Sequence, residues 1–300
     1  MKIRHLMKFV SFGLSTVLFH RTAPILGTVI ITDKCNLNCK HCSVNNINAV
    51  IYPYTQVQQE MQMLYEQGIR ILFLCGGETF LWQSDGKTLR DLVIEARRIG
   101  FYIVNVVTNG TYQLDLPEAD LILLSLDGDR EHHNDIRGDS YDLIMRNIDQ
   151  ATANNICLYM AVNQINQHTI RHVSDVALSK QQVKAVSFNF HTPYPETATL
   201  ALSVADKQRC ADEISQLMDW GYPIFNLKSA LPYIVNNSFI TPCHQCVVVE
   251  NGKTSICGRC IDEPGLCEQC GYFFVAEYTL AFSGNTKVIK DMIKTYLKYI

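Results

Sequence analysis

The sequence has no large excess of charge of either sign. Its 26 lysines and arginines stand against 29 aspartates and glutamates, a formal net charge of -3, and no dense basic run or repeated basic-aromatic pattern occurs. Proteins whose main partner is nucleic acid usually carry such a basic footprint. The composition therefore argues against nucleic acid as a partner.

Apolar runs long enough to cross a bilayer are also missing. Residues 1 to 21 come nearest, but the stretch is short and polar, and no A-x-A cleavage site follows it. Its apolar residues repeat at helical spacing, so residues 1 to 23 are predicted to form an amphipathic helix. Two interpretations stay open: the helix packs against the closed end of a barrel, or its basic flank rests on a membrane surface.

Low-complexity segments and internal repeats are absent, and 47% apolar with 18% charged residues is ordinary for a folded protein. After Pro24, short apolar runs alternate with amphipathic stretches, which is typical of repeated βα units and a parallel sheet. Strands are predicted at 26–32, 70–74, 101–107, 120–126, 156–162 and 185–190, and helices near 55–67, 87–99, 140–154, 167–179 and 204–219. We expect an α/β fold: a partial (β/α)6 TIM-like barrel over residues 24–220, with a small C-terminal metal-binding appendage at 221–300.

Cysteine is abundant. Nine of the twelve cysteines fall into two compact groups whose spacing suits metal rather than disulfide bridges, which indicates a reducing, cytoplasmic compartment. The other three, Cys75, Cys157 and Cys210, lie in or beside apolar segments and are expected to be small core residues.

The first group follows the first predicted strand, in the string CNLNCKHC. Cys35, Cys39 and Cys42 supply three thiolates, whereas a cubane iron–sulfur cluster has four irons to cap. One iron would stay open, which suits a catalyst that binds a ligand at the metal. A zinc site or chance clustering is the alternative.

This string resembles the signature of the radical S-adenosylmethionine (radical SAM) family, in which an aromatic residue usually precedes the third cysteine; here it is His41. In that family the open iron of a [4Fe-4S] cluster chelates S-adenosylmethionine (SAM). An electron cleaves the sulfonium, and the 5′-deoxyadenosyl radical abstracts hydrogen from substrate. The resemblance implies an enzyme with both cofactors and a reductant such as flavodoxin or ferredoxin.

Further motifs follow the next strands. Gly76, Gly77 and Glu78 resemble the family's GGE motif, which receives the methionine amino group of SAM. Glycines let a backbone come close, and a glutamate accepts from an ammonium. Thr108 and Asn109 resemble the TNG element, which implies a contact with the adenosine or ribose.

The stretch from Ser125 to Gly138 resembles the family's SLDG segment, which implies that Ser125 and Arg137 lie near the cofactor. An ordinary surface ion pair is the alternative for Arg137. Asn163, after the fifth strand, is a further cofactor candidate or a helix cap. His191 and Tyr194, after the sixth strand, are candidates for the substrate pocket, although His191 also suits a structural hydrogen bond.

The second group is a set of three CxxC pairs within 28 residues, a density that folds locally only around metal. Its members are Cys243, Cys246, Cys257, Cys260, Cys267 and Cys270. The location resembles the SPASM or twitch extensions of radical SAM enzymes, which implies an auxiliary [4Fe-4S] cluster. Two-cluster extensions draw on seven cysteines and this chain offers six, so one cluster is expected, with zinc as the alternative.

Such extensions often accompany modification of ribosomally made peptides, so the resemblance favours a peptide substrate. The absence of a recognisable leader-peptide-binding domain counts against it. Modification of a lipid or small metabolite is the second hypothesis, and the amphipathic N-terminal helix is its only support. A non-catalytic zinc-binding or electron-transfer protein is the third.

Overall fold

The computed structural model describes residues 3–19, 23–42 and 48–300. Its strands are β1 (Leu26–Thr32), β2 (Ile71–Gly76), β3 (Gln83–Ser84), β4 (Lys87–Thr88), β5 (Ile103–Thr108), β6 (Leu121–Ser125), β7 (Ile156–Val162), β8 (Val183–Phe190), β9 (Cys246–Glu250) and β10 (Lys253–Ile256). Its α-helices are α1 (Ile3–Phe19), α2 (Tyr54–Glu66), α3 (Leu89–Ile99), α4 (Arg130–Arg137), α5 (Tyr141–Gln150), α6 (Ile170–Ser179), α7 (Val204–Asp219), α8 (Leu231–Val235), α9 (Phe273–Phe282) and α10 (Thr286–Tyr299).

Eight strands form one sheet in the order β10-β9-β1-β2-β5-β6-β7-β8. Every neighbouring pair from β9 to β8 is parallel, and only β10 runs antiparallel, beside β9. The carboxyl ends of the parallel strands therefore meet at one edge, where a fold of this kind builds its active site. The expected α/β partial barrel is confirmed.

The six parallel strands from β1 to β8 in the sheet form because they are rich in valine, isoleucine and leucine and are largely buried on both faces. Helices cover the outer face; α3, for example, buries Leu89, Leu92, Val93 and Ala96. All six predicted strands are present, with ends moved by at most two residues, and residues 109–120 between β5 and β6 hold no helix, as expected.

The chain after residue 220 extends the same sheet. Strand β9 pairs with β1 in parallel register, Leu26 opposite Cys246 and Ile30 opposite Glu250. Helix α8 precedes β9, and helices α9 and α10 follow β10. The sequence analysis predicted none of these elements. The domain boundary at residue 220 stays a prediction.

The N-terminal helix α1 packs against the amino-terminal end of the barrel. The Phe9 and Tyr102 rings meet edge to face at 5.7 Å between centroids, and Phe12 meets Phe282 at 5.6 Å. Tyr102 precedes β5, so this contact lies at the end opposite the strand carboxyl termini. Among the helices of the described residues, none is both long and apolar enough to cross a membrane.

Candidate active site

The loop that carries the first cysteine group begins at Thr32, where β1 ends. The Thr32 hydroxyl donates to the carbonyl of Val50 at 2.7 Å and accepts from the Lys34 amide at 3.0 Å. The buried carboxylate of Asp33 accepts from the Asn48 amide at 2.8 Å. These contacts fix the backbone from which Cys35, Cys39 and Cys42 project.

Two glycines hold the end of β2 against that loop. The Gly77 amide donates to Thr32 O at 2.8 Å. A Cβ atom on Gly76 would lie 2.0 Å from Thr32 O, and one on Gly77 would lie 2.2 Å from Lys34 O. No side chain fits at these separations, so the Gly-Gly pair is required for the two loops to pack together.

Glu78 follows these glycines and is fully buried. Its carboxylate accepts from the Thr108 hydroxyl and the Asn109 amide, both at 2.7 Å, and from the Phe80 amide at 3.0 Å. Burial raises the pKa of Glu78, and these donors act in the opposite direction. A carboxylate has about four acceptor positions, so one remains for a further donor.

Two side chains direct N–H groups at the thiols of the loop. The Asn109 amide lies 3.7 Å from Cys35 Sγ, which also accepts from the Leu37 backbone amide at 3.5 Å. The Arg137 guanidinium lies 3.8 Å from Cys39 Sγ. Donors of this kind stabilise anionic sulfur and tune iron–sulfur clusters.

Arg137 is held in place by a buried ion pair rather than at the surface. Its Nε donates to the Asp127 carboxylate, which is fully buried and also accepts from the Ala161 amide at 2.8 Å. Burial alone would raise the pKa of Asp127, but Arg137, His41 and His133 bring it below its usual value. The pair therefore stays charged in the interior.

His41 completes this network. Its Nε2 lies 3.3 Å from Nη2 of Arg137, and burial lowers its pKa to about 4, so the ring is neutral and accepts from the guanidinium. Its Nδ1 is buried and has no hydrogen-bond partner within the described ranges. A polar atom buried this way costs free energy unless a ligand satisfies it.

The remaining candidates lie at the same edge of the sheet. Ser125 is the buried last residue of β6. Asn163 follows β7, but its side chain is engaged in its own turn, where it accepts from Ile165 N at 2.9 Å and donates to Ala161 O at 3.1 Å. His191 lies edge to face with His41 at 6.3 Å between ring centroids, and its Nε2 contacts the Thr197 hydroxyl at 2.9 Å. Tyr194 lines the cavity inside the barrel.

The second cysteine group gathers beside β9 and β10. Cys243 and Cys246 bring their sulfur atoms within 3.4 Å, and the Cys257 amide donates to Cys246 O at 2.9 Å. The thiols of Cys257 and Cys267 lie close enough to that of Cys260 to act on its pKa, which Cys257 and burial raise. Four members, Cys243, Cys246, Cys260 and Cys270, are at most 5% exposed. All twelve cysteines are free thiols, as the metal interpretation expects.

The donor set of the first group fits an iron–sulfur cluster, and the six thiols of the second group can hold either a cluster or zinc. Within residues 3–19, 23–42 and 48–300, no three histidine, cysteine or carboxylate side chains converge as the ligands of one metal ion do. A cubane carries each thiolate on a different iron, so its ligands lie farther apart than those of a lone zinc ion. The N–H donors at Cys35 and Cys39 suit such a cluster, and the unpaired His41 Nδ1 suits a bound cofactor beside it.

Sequence reasoning missed Asp127 and the part that His41 plays. Asp127 lies within the SLDG segment, and an acidic residue ten positions before Arg137 was the available signal. Neither the burial of this pair nor its contact with Cys39 can be read from the local pattern, because 98 residues separate Arg137 from Cys39.

Comparison with known families decides the assignment. The family model "Radical SAM superfamily" matches residues 29–177, the segment that carries the three cysteines, the GGE and TNG elements and Arg137. The chain belongs to the Radical SAM superfamily. Membership implies a [4Fe-4S] cluster and SAM as its cofactors. Cys35, Cys39 and Cys42 are the residues that would hold that cluster in this radical SAM chain.

Two curated proteins are similar in sequence. The sporulation killing factor maturation protein SkfB of Bacillus subtilis is 30% identical over 181 residues, which are 56% of this chain and 42% of SkfB. The 7,8-dihydro-6-hydroxymethylpterin dimethyltransferase of Methanocaldococcus jannaschii is 32% identical over 122 residues, 36% of this chain and 23% of that enzyme. This radical SAM chain thus spans less than half the length of either relative.

Solved structures share the fold over nearly the whole chain. SuiB of Streptococcus suis bound to S-adenosylmethionine superposes with a TM-score of 0.65 at 11% identity, covering 96% of this chain and 70% of SuiB. The enzyme anSMEcpe with AdoMet and the Kp18Cys peptide gives 0.58 at 19% identity, covering 91% and 84%. The likeness of this radical SAM protein therefore includes the fold of its cysteine-rich C-terminal region.

Proposed function

We propose that this protein reductively cleaves SAM at the first cysteine group and takes hydrogen from a peptide substrate. The observation that carries the proposal is the three-thiol loop, which receives N–H groups from Asn109 and Arg137 and packs directly on the Gly76-Gly77-Glu78 segment. Three cysteines leave one iron of a cubane without a protein ligand. When bound, the reduced cluster and SAM supply one-electron cleavage of the sulfonium and the hydrogen abstraction that follows.

The protein side chains have separate parts in this proposal. Glu78 accepts from the methionine amino group of SAM through its remaining acceptor position, while Thr108 and Asn109 hold its carboxylate in place. Arg137 neutralises charge at Cys39, and Asp127 fixes the direction of the guanidinium. Ser125 and Asn163 border the cofactor space at the ends of β6 and β7, and His191 and Tyr194 border the substrate.

Three relatives support a peptide as the substrate class. SkfB is a maturation protein, SuiB has been seen with its precursor peptide SuiA, and anSMEcpe with the Kp18Cys and Cp18Cys peptides. SkfB shares 30% identity with this chain. The reductant we propose is a small carrier such as flavodoxin or ferredoxin.

The second cysteine group is proposed to hold one auxiliary [4Fe-4S] cluster. Six mostly buried thiols are more than one cubane needs, and two of them, Cys257 and Cys260, line the cavity inside the barrel. Zinc is the competing occupant. Metal analysis of the anaerobically reconstituted protein separates the two: iron beyond one cubane per chain supports the cluster, and stoichiometric zinc contradicts it.

SAM cleavage tests the central proposal. Protein reconstituted with iron and sulfide without oxygen is mixed with dithionite and SAM, and 5′-deoxyadenosine is measured by liquid chromatography. Formation above a no-protein control is expected. A fully loaded, reducible protein that forms none contradicts the proposal and favours a non-catalytic metal-binding or electron-transfer role. Hydrogen transfer to a lipid or metabolite but to no peptide would contradict the proposed substrate class.

A second proposal concerns the outer face of α1. While Phe9 and Phe12 pack on the barrel, Met7, Leu14 and Leu18 are 58–67% exposed. The neighbouring helix α10 continues this apolar face with Ile293 and Leu297.

The charges beside this face are positive. Lys290, Lys294 and Lys298 are exposed on α10, whereas the Asp291 carboxylate accepts from Ser229 N and so is turned to the barrel. Apolar side chains flanked by lysines suit an anionic bilayer surface. We propose that α1 and α10 rest together on such a membrane.

Flotation with vesicles tests the membrane contact. Binding to vesicles that contain phosphatidylserine is expected, and L14E with L18E should abolish it. L178E is the matched control, because Leu178 on α6 is 59% exposed and lies outside this face. Flotation unchanged by the double variant contradicts the proposal.

A further inference from the structure

A cavity of about 350 Å³ lies inside the barrel, and most of its wall is apolar. Within the described part of the chain, one acidic and one basic side chain interrupt this wall, Glu277 on α9 and Arg259. Arg259 is already neutralised, because its guanidinium pairs with both carboxylate oxygens of Glu250. When Glu277 is ionised, its charge is therefore the one in the wall that lacks a partner.

The Glu277 side chain uses only one of its two oxygens. Oε1 accepts from Leu227 N at 2.8 Å and from the Asn226 amide at 3.4 Å. Oε2 has no hydrogen-bond partner among the described residues, and Glu277 is 7% exposed where it lines the cavity. Carboxylate oxygens in such a buried setting are nearly always paired, so Oε2 calls for a donor from a ligand.

Aromatic rings surround this carboxyl group. Tyr159 on β7 and Tyr296 on α10 line the same cavity, and burial raises the pKa of both phenols. The carboxyl group of Glu277 lies close enough to add to this rise in each case. Aromatic faces attract cations and cover methylene groups, so the surroundings suit a cation on an apolar stem.

The strand register places this carboxyl group near the edge of the sheet that carries the active site. The Asn226 amide, which donates to Glu277, also lies 3.5 Å from the hydroxyl of Ser187 on β8. Ser187 is opposite Tyr159, and Tyr159 is opposite Ser125, the last residue of β6. A ligand that reaches Glu277 therefore lies close to the strand ends where the proposed reaction takes place.

A single free oxygen also selects between the two kinds of basic side chain. A guanidinium binds carboxylates best through two parallel hydrogen bonds, which need both oxygens. Oε1 of Glu277 is already occupied by two donors. An ammonium group acts as a point charge and needs one acceptor, so lysine fits this site better than arginine.

We propose that the cavity binds a lysine side chain of the substrate, whose ammonium group donates to Oε2 of Glu277 while its methylene groups lie against the apolar wall. The inference rests on the proposed peptide substrate and adds the residue that the barrel interior recognises.

Equilibrium dialysis of the reconstituted holoenzyme at pH 8 tests the inference with four probes. N-acetyllysine methylamide carries the ammonium group, and N-acetylnorleucine methylamide has a similar stem without it. N-acetylarginine methylamide carries a guanidinium, and alanine methylamide has only an α-amino group. The lysine probe should bind most tightly. Norleucine, arginine or alanine probes that bind as tightly as the lysine probe overturn the inference.

The E277Q variant sharpens this test, because glutamine keeps an acceptor for Leu227 N and Asn226 but carries no charge. Binding of the lysine probe should weaken roughly tenfold to a hundredfold, the effect of losing one hydrogen bond between charged groups. Binding of the norleucine probe should stay the same. Equal weakening of both probes means that Glu277 is merely structural, and this result overturns the inference, as does unchanged binding of the lysine probe.

The matched control is E60Q. Glu60 on α2 is 4% exposed and also has an unpaired Oε2 within the described ranges, while its Oε1 accepts from Gly252 N at 2.8 Å. It lies outside the cavity, so E60Q should keep the preference for lysine, and loss of that preference contradicts the inference. Cleavage of SAM is measured separately: wild-type cleavage with no lysine preference refutes the cavity inference alone, whereas failed cleavage refutes the proposed reaction whatever the dialysis shows.

Discussion

The two cysteine groups differ in how many thiols they offer and in what surrounds them. The first places three partly exposed thiols on one loop, with N–H donors from Asn109 and Arg137 aimed at two of them. The second places six thiols beside β9 and β10, four of them almost completely buried. An open, polar setting suits a cluster that binds a ligand, and a closed setting with surplus thiols suits one that does not.

Removing one thiol from each group should separate their roles most sharply. C39A is expected to lower 5′-deoxyadenosine formation to background, because the cluster of the first group loses a ligand. C267A should keep SAM cleavage, because the second group does not hold the cluster that binds SAM, and its iron content shows whether Cys267 is among the four ligands that one cubane needs. Iron content and deoxyadenosine are measured on the same samples. Cleavage at the wild-type rate in C39A would break the distinction between the groups.

The next largest effect is expected at the buried ion pair behind the first group. D127N leaves the Arg137 guanidinium uncompensated, which should cost about 3–5 kcal/mol of unfolding free energy. D135N breaks the contact between Lys40 and Asp135, whose side chains are 52% and 51% exposed, and should cost roughly 0–1 kcal/mol. Anaerobic urea denaturation gives both values. Similar losses of unfolding free energy in the two variants would show that the Asp127–Arg137 pair stabilises the fold no more than an exposed ion pair does.

A pH-dependent effect is expected at Glu277, in the region that follows the second group. Burial raises its pKa from 4.5 to about 7, so the folded state binds its proton more tightly than the unfolded state. Its contribution is favourable below pH 4.5 and is lost as the pH rises towards 7. E277Q should therefore stabilise the protein by up to about 3 kcal/mol at pH 8 and by little at pH 4.5. Equal effects at both pH values, measured by urea denaturation, would contradict the assignment.

The smallest expected effect compares one glycine from each region. G77A forces a Cβ atom to within 2.2 Å of Lys34 O, so the loops must separate, at a cost of roughly 1–3 kcal/mol and with weaker SAM binding. Gly258 lies in the second group with extended backbone and open space around it, so G258A should change neither quantity. Melting curves and SAM titration test this pair. A neutral G77A would show that the loops do not depend on that contact.

The sequence predicts the barrel well because its strands are local apolar runs. The elements it misses have non-local causes. Helix α4 buries only His133 and Ile136 and so lacks apolar periodicity. Strand β9 consists of three valines between Cys246 and Glu250, and nothing near it indicates pairing with β1 more than 200 residues earlier.

In the candidate active site, too, the sequence predicts the features that have a local signal and misses those that have non-local causes. The cysteine spacing and the GGE element are readable because they are short motifs. The role of Gly76 and Gly77 differs from the expected one. The sequence analysis expected them to let the backbone approach the cofactor, but in the structure they let β2 pack against the cysteine loop itself. The Asp127–Arg137 pair depends on burial, which only the assembled barrel provides.

The electron paramagnetic resonance spectrum of the dithionite-reduced holoenzyme, recorded with and without SAM, tests the central claim most directly. The signal of the first cluster is identified by its loss in C39A. Because one iron lacks a protein ligand, that signal should change its g-values when SAM is added, while the signal of the auxiliary cluster stays the same. A first-cluster signal that SAM leaves unchanged would contradict the open site and, with it, the proposed reaction.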